Sequence, residues 1–173
     1  MHYRFVSHLL GLLLIALALP MFILAFFSAF EEAALIATAS RTGFTIGGFI
    51  ALTLGVLLTA GKPWKLPRSA HERKEQKRPQ LGRREAFLIV ATSWIIGSII
   101  AAIPFLTWGT FMPKTAATSN LSNFVNAWFE ATSGLTTTGA TVITDISELP
   151  NTLLIWRSLT HWLGGIGIVL LFV

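Results

Sequence analysis

The sequence predicts an all-α membrane protein: two N-terminal transmembrane helices, one further spanning helix, a segment that enters the bilayer without crossing it, and a last long apolar helix. Three observations carry this prediction. Apolar residues make up 53 % of the 173 positions and charged residues only 12 %, with a mean hydropathy of +0.67, whereas soluble domains carry about 25 % charge. Uncharged runs of 19 to 23 residues recur along the chain, long enough to cross a hydrocarbon core of about 30 Å. The formal charge of +5 is local: residues 61–85 hold nine basic and three acidic residues, +6 in all, and the remainder is close to neutral. This argues against a soluble enzyme and against disorder. A nucleic-acid partner is not expected from so local an excess. With no cysteine, disulfides, thiolate metal sites and thiol nucleophiles are excluded.

Leu9–Phe30 is the first span, 22 residues without a charge. It is too long for the apolar core of a signal peptide, and Pro20 within it predicts a kink. Thr42–Ala60 is the second, with 19 uncharged residues. Gly43, Gly47, Ala51 and Gly55 recur there at every fourth position, a stripe on which helix backbones can approach closely in lipid. Residues 1–60 are read as an N-terminal helix pair and 61–85 as a basic loop broken by Pro63, Pro67 and Pro79. Lys and Arg beside spans stay cytoplasmic, so the loop and the N-terminus are placed inside and the Glu31–Glu32 turn outside. Ala86–Trp108 is the third span, with Pro104 near its far end. Asn151–Val173 is a fourth apolar stretch that contains Arg157 and His161.

Residues 119–141 read SNLSNFVNAWFEATSGLTTTGAT. Ser119, Asn120 and Ser122 are good N-caps. A helix is predicted over 121–133, roughly 20 Å long and too short to span, with Gly134 ending it. The β-branched run that follows favours extended backbone. At membrane depth such backbone is tolerated only inside protein or along a watery path. Inward carbonyls there can replace the water shell of a cation, and the C-terminal end of a half-helix favours the same charge. Gly139 gives the backbone freedom at this point. These features converge on a re-entrant pore loop between two spanning helices. The competing reading is a Thr-rich extracellular loop with a surface helix, which would expose Phe124, Trp128 and Phe129 to water.

FEATSGLTTTGAT, followed after Leu149-Pro150 by WRSLTHWLGGIGIV, closely resembles the first pore repeat of bacterial Trk-type potassium uptake proteins of the Trk/Ktr/HKT superfamily. The first 60 residues match that family in layout more than in motif. The resemblance implies one helix–pore-loop–helix repeat over 86–173, with a half-membrane pore helix and an extended filter. The filter would be lined by the carbonyls of Thr136, Thr137, Thr138, Gly139 and Ala140, with Thr138-Gly139 where the potassium-channel signature has its first glycine. It implies potassium as the ion carried, no covalent cofactor, the bacterial inner membrane, and a cytosolic nucleotide-binding regulatory subunit meeting the basic loop. The family places one such glycine in each of four repeats, and GLTTTGAT occurs here once. The remaining pore repeats, or further copies of the chain, are therefore expected partners, and an N-terminal part of a longer transporter is the favoured reading.

Glu130, on the short helix, is expected to hold the pore loop from behind or to pair with Arg157, which lies roughly 9 Å into the last helix. His161, one turn further, is expected to be a helix–helix hydrogen-bond donor, with a pH-sensitive group as the other reading. Asp145 and Glu148 stand at the outer mouth, either to attract cations or as solvated loop charges. Trp64 and Trp108 are interfacial anchors. His2, His8 and His71 are too scattered for a metal site. Two other functional classes compete. A membrane enzyme acting on lipid phosphates would need acidic or His residues clustered near the basic loop. A non-conducting helical anchor, or fragment, would not bring four pore loops around one axis.

Overall fold

The computed structural model of the chain describes residues 3–30, 34–60, 83–110, 120–147 and 149–172. Every regular element among them is helical: α1 (Tyr3–Phe27), a 3₁₀ turn (Ser28–Phe30), α2 (Ala34–Thr59), α3 (Arg83–Ala101), α4 (Ile103–Trp108), α5 (Asn120–Leu135) and α6 (Asn151–Phe172). The Glu31–Glu32 turn, the basic loop over 61–82 with Trp64 and His71, His2, Ser119 and Glu148 lie outside the described residues.

Three stretches are long and apolar enough to cross a membrane: Val6–Phe30, Thr38–Thr59 and Phe87–Trp108. They coincide with the first three spans of the sequence to within a few residues. Their outer faces carry large exposed side chains such as Leu19, Phe26, Phe49, Leu57 and Phe87. In water that would be an aggregation surface; in lipid it is the matched solvent.

α1 runs through Pro20 and packs along α2. The small-residue stripe of α2 is the packing face. A Cβ on Gly43 would stand 2.9 Å from the Pro104 Cα, one on Gly55 would stand 2.8 Å from the Gly11 carbonyl oxygen, and Ala51 is fully buried. The stripe thus faces two neighbours, α1 along most of its length and α4 near its start.

The third span is not one unbroken helix. It is interrupted at Ala102 between α3 and α4, because Pro104 has no N–H to continue the ladder. The interruption is used: Trp156 of α6, itself fully buried, donates its indole Nε1–H to the Ala101 carbonyl at 3.0 Å. The Trp156 ring also meets Phe44 of α2 edge to face, with centroids 5.8 Å apart. One side chain thereby ties together α2, α3 and α6. α4 closes on Gly109, in left-handed conformation at φ 74°, with Gly109 N–H donating to Leu106 O and Thr110 N–H to Phe105 O. Trp108, at the end of the span, packs partly buried against the common core.

α5 is held between α3 and α6. Its inner face carries Ala127 and Ala131, both fully buried, and Trp128, whose indole N–H donates to Ser98 Oγ of α3 at 2.8 Å. Leu121, Val125 and Phe129 remain exposed on the other face.

Candidate functional site: the loop after the short helix

The sequence expectation for α5 needs two corrections. The helix spans Asn120–Leu135, 16 residues rather than the 13 of 121–133, about 24 Å at 1.5 Å per residue. Gly134 does not end it. It lies inside the last turn, where a Cβ would stand 3.0 Å from the Thr160 Cβ of α6. The missing side chain serves close approach of two helices.

The left-handed residue that terminates α5 is Thr137, with φ +58°. Thr138 N–H donates to Ser133 O and Thr137 N–H to Gly134 O, each at 2.9 Å, the paired bonds of a Schellman cap. A β-branched residue in this region is uncommon and strained. Thr136 and Thr137 therefore form a turn, and from Thr138 the backbone has no regular secondary structure. Gly139, at φ +78°, is the second left-handed position of the loop.

Glu130 is the hub behind this loop. It is 2 % exposed. Its Oε2 accepts the Thr141 hydroxyl at 3.0 Å and the Val142 N–H at 3.2 Å. Its Oε1 accepts Arg157 Nε at 2.5 Å from α6. One carboxylate thus joins the short helix, the loop and the last helix. Burial of a charge on this scale is sustained only by such pairing and hydrogen bonding. Arg157 is 21 % exposed at its side chain.

Two further contacts shape the loop. Ser133 Oγ donates to the Ala140 carbonyl at 2.6 Å, turning that carbonyl back toward α5. Gly164 of α6 lies against the end of α5, where a Cβ would stand 2.7 Å from the Leu135 carbonyl carbon. Among the described residues, no hydrogen bond found uses the carbonyls of Thr137, Thr138 or Gly139. The side chains of Thr137 and Thr138 are exposed, and Thr136 and Thr138 share a hydroxyl–hydroxyl bond of 2.8 Å.

His161 hydrogen-bonds through Nδ1 to the Arg157 carbonyl at 2.8 Å, within its own helix. That differs from the donor across helices expected from the sequence. Asp145 Oδ1 accepts the N–H and the hydroxyl of Ser147, at 2.9 and 2.5 Å. No group of three or more His, Asp or Glu that could hold a metal occurs among the described residues.

The structure brings Glu130 and Arg157 together, and it ties Glu130 to Thr141 and Val142, the two residues that follow the segment Thr136–Ala140. Sequence reasoning missed Ser133 and Thr141, because nothing in a lone Ser or Thr marks a partner seven or eleven residues away. It also missed the indole hydrogen bonds of Trp128 and Trp156, which fix α5 and α6 to α3.

A family model described as a cation transport protein, TrkH, matches residues 51–173. The Trk system potassium uptake protein TrkH of Escherichia coli K12 is 34 % identical over 177 residues, covering 100 % of this chain and 30 % of that protein. TrkG of the same organism, also named a Trk system potassium uptake protein, is 43 % identical over 94 residues, 54 % of this chain and 18 % of its own length. TrkH of Halomonas elongata is 41 % identical over 122 residues, 70 % of this chain and 22 % of its own. The chain spans about 30 % of the length of relatives such as the Escherichia coli protein. The matched region contains α3 to α6 and the whole loop described above, and the chain belongs to the TrkH family of cation transport proteins.

Proposed function

We propose that this chain supplies one quarter of a potassium-translocating pore in the inner membrane. Residues 86–173 act as a helix–pore-loop–helix repeat and residues 1–60 as an accessory helix pair. The observation that carries the reading is the row of carbonyls at Thr137, Thr138 and Gly139. They have no internal partner among the described residues, and they follow a helix too short to span. Unpartnered carbonyls at membrane depth require a polar occupant, and a dehydrated cation is one they suit. Thr136 and Ala140 complete the filter segment, with the Ala140 carbonyl tied by Ser133.

The Glu130–Arg157 pair fits this role electrostatically. A free guanidinium near the path would repel cations, and pairing cancels that field at short range. The negative end of α5 points at the loop and adds to the attraction. Potassium exchanges water for carbonyl oxygens and moves down its electrochemical gradient, so no covalent step is involved. The other three quarters come from further repeats or further copies. The basic loop 61–85 faces the cytoplasm, as does the N-terminus, and it is the surface offered to a cytosolic nucleotide-binding regulator.

The test is Gly139→Ser in the assembled transporter, compared with Ala140→Ser at matched membrane levels. Gly139 holds φ +78°, a conformation that disfavours any Cβ by about 1–2 kcal/mol, so Ser there distorts the ring of carbonyls. The ratio of rubidium to sodium uptake should fall several-fold for Gly139→Ser and change less for Ala140→Ser. An unchanged ratio in Gly139→Ser refutes the filter assignment at Thr136–Ala140.

A further inference from the structure

Ser133 holds three consecutive residues of the loop. Its backbone carbonyl accepts the Thr138 N–H at 2.9 Å and, more weakly, the Gly139 N–H at 3.4 Å. Its hydroxyl donates to the Ala140 carbonyl at 2.6 Å. The residue lies in the last turn of α5 and is buried. One residue thus takes hydrogens from 138 and 139 and gives one to 140.

That change of polarity fixes which way the carbonyls of the loop face. In a trans peptide the C=O and the N–H of one unit point in opposite directions, and the peptide bonds among the described residues are trans. The Thr138 N–H is turned to Ser133, so the Thr137 carbonyl points away from it. The Gly139 N–H does the same for the Thr138 carbonyl. The Ala140 carbonyl points the other way, back at α5. The reversal falls at Gly139, whose φ of +78° is readily open to glycine. Beyond it the loop stays attached to α5 through Glu130, which accepts the Thr141 hydroxyl and the Val142 N–H. At the near end, Thr137 Oγ1 donates to the Thr136 carbonyl at 2.7 Å. A hydroxyl therefore closes each end of the segment 136–140, and the carbonyls of Thr137, Thr138 and Gly139 lie between.

We propose that Ser133 is a positioning residue that sets the number of cation ligands in this repeat: its hydroxyl withdraws the Ala140 carbonyl from the ion path. This rests on the filter reading of Thr136–Ala140. A filter must hold a cation well enough to replace its water, yet weakly enough to release it. Each further ring of carbonyls shifts that balance toward holding. In S133A the Ala140 carbonyl loses its donor, and its peptide unit is free to turn over and stand beside the other three. There a dehydrated cation takes the place of the lost hydrogen bond. The added ring binds the ion more tightly at the end of the row and delays its exit.

The experiment is the initial rate of rubidium uptake into liposomes by the assembled transporter, unaltered and as S133A, at matched protein levels. Alanine is the best helix former, and Ala127 and Ala131 already line the inner face of the same helix, so α5 is kept. The KM for rubidium should fall several-fold, and the maximal rate should fall several-fold with it. A merely structural role would lower the maximal rate by leaving fewer intact filters and would not tighten KM. An unchanged or raised KM in S133A therefore overturns the proposal. Carbon-13 spectra of the unaltered protein give a second measurement that needs no variant. When potassium is replaced by N-methylglucamine, a cation too large for a carbonyl ring, the Thr138 and Gly139 carbonyl signals should move and the Ala140 signal should stay. An Ala140 signal that moves with them also overturns it. Failure of the filter reading is separable: the Thr138 and Gly139 signals would then stay as well, and G139S would leave the rubidium-to-sodium ratio unchanged.

Discussion

Removing Arg157 should loosen the loop more than removing the charge of Glu130, and removing both should be milder than removing Arg157 alone. In Arg157→Gln the Glu130 carboxylate keeps its bonds from Thr141 and Val142 but loses the one counter-ion it has among the described residues. At 2 % exposure it has almost no access to water. Stranding a buried charge in this way costs about 3–5 kcal/mol. In Glu130→Gln the partner left behind is Arg157, which is 21 % exposed and can turn its head toward solvent. Two charge-assisted hydrogen bonds become neutral ones, a loss of about 1 kcal/mol each, and the ion pair itself contributes less than a fully buried one because water screens it. The total is about 2–3 kcal/mol by this reasoning. The double variant leaves no unpaired charge, so its cost should not exceed that of Glu130→Gln by more than about 1 kcal/mol. The assay is amide exchange across 136–147 in nanodiscs. The Val142 N–H, held by Glu130 Oε2 at 3.2 Å, should exchange roughly 100-fold faster or more in Arg157→Gln, taking about 1.4 kcal/mol per factor of ten. Val142 protection unchanged in Arg157→Gln, or a double variant as damaged as that single one, would refute the assignment of Glu130 as the hub of the loop.

Thr137→Gly places the permissive residue at φ +58° and should raise thermal stability by up to about 1 kcal/mol, whereas Thr137→Ala should not; a melting curve of each in detergent decides it. Gly164→Ala drives a Cβ against the Leu135 backbone, which cannot turn aside, while Gly167→Ala meets open space. The first should lower the melting point by several degrees, equivalent to about 1–3 kcal/mol of overpacking, and the second should be near neutral, with equal shifts for the two counting against the observed contact of α5 and α6.

The sequence alone determined the membrane class, the three spans, the presence of a short helix before a Thr- and Gly-rich segment, and the resemblance to Trk-type potassium uptake proteins. These are legible because each is local or periodic. Lipid forces every backbone group in a span to pair within its own helix, so length and absence of charge suffice to mark one. FEATSGLTTTGAT is long enough to be specific by itself. The tertiary structure decided what each residue in that motif does. Gly134 reads as a helix stop, yet its bare face is taken by Thr160 of α6, and the left-handed turn moves to Thr137. Ala140 reads as an open carbonyl, yet Ser133 binds it. Pro104 reads as a feature near the end of a span, yet the break beside it leaves the Ala101 carbonyl for Trp156, 55 residues away. Glu130 had the loop or Arg157 open to it on sequence grounds, and it meets both, with Trp128 and Trp156 fixing α5 and α6 against α3. Periodicity records which face of a helix is apolar. It does not record which neighbour that face meets, and a buried polar group is satisfied only by the neighbour that packing brings to it.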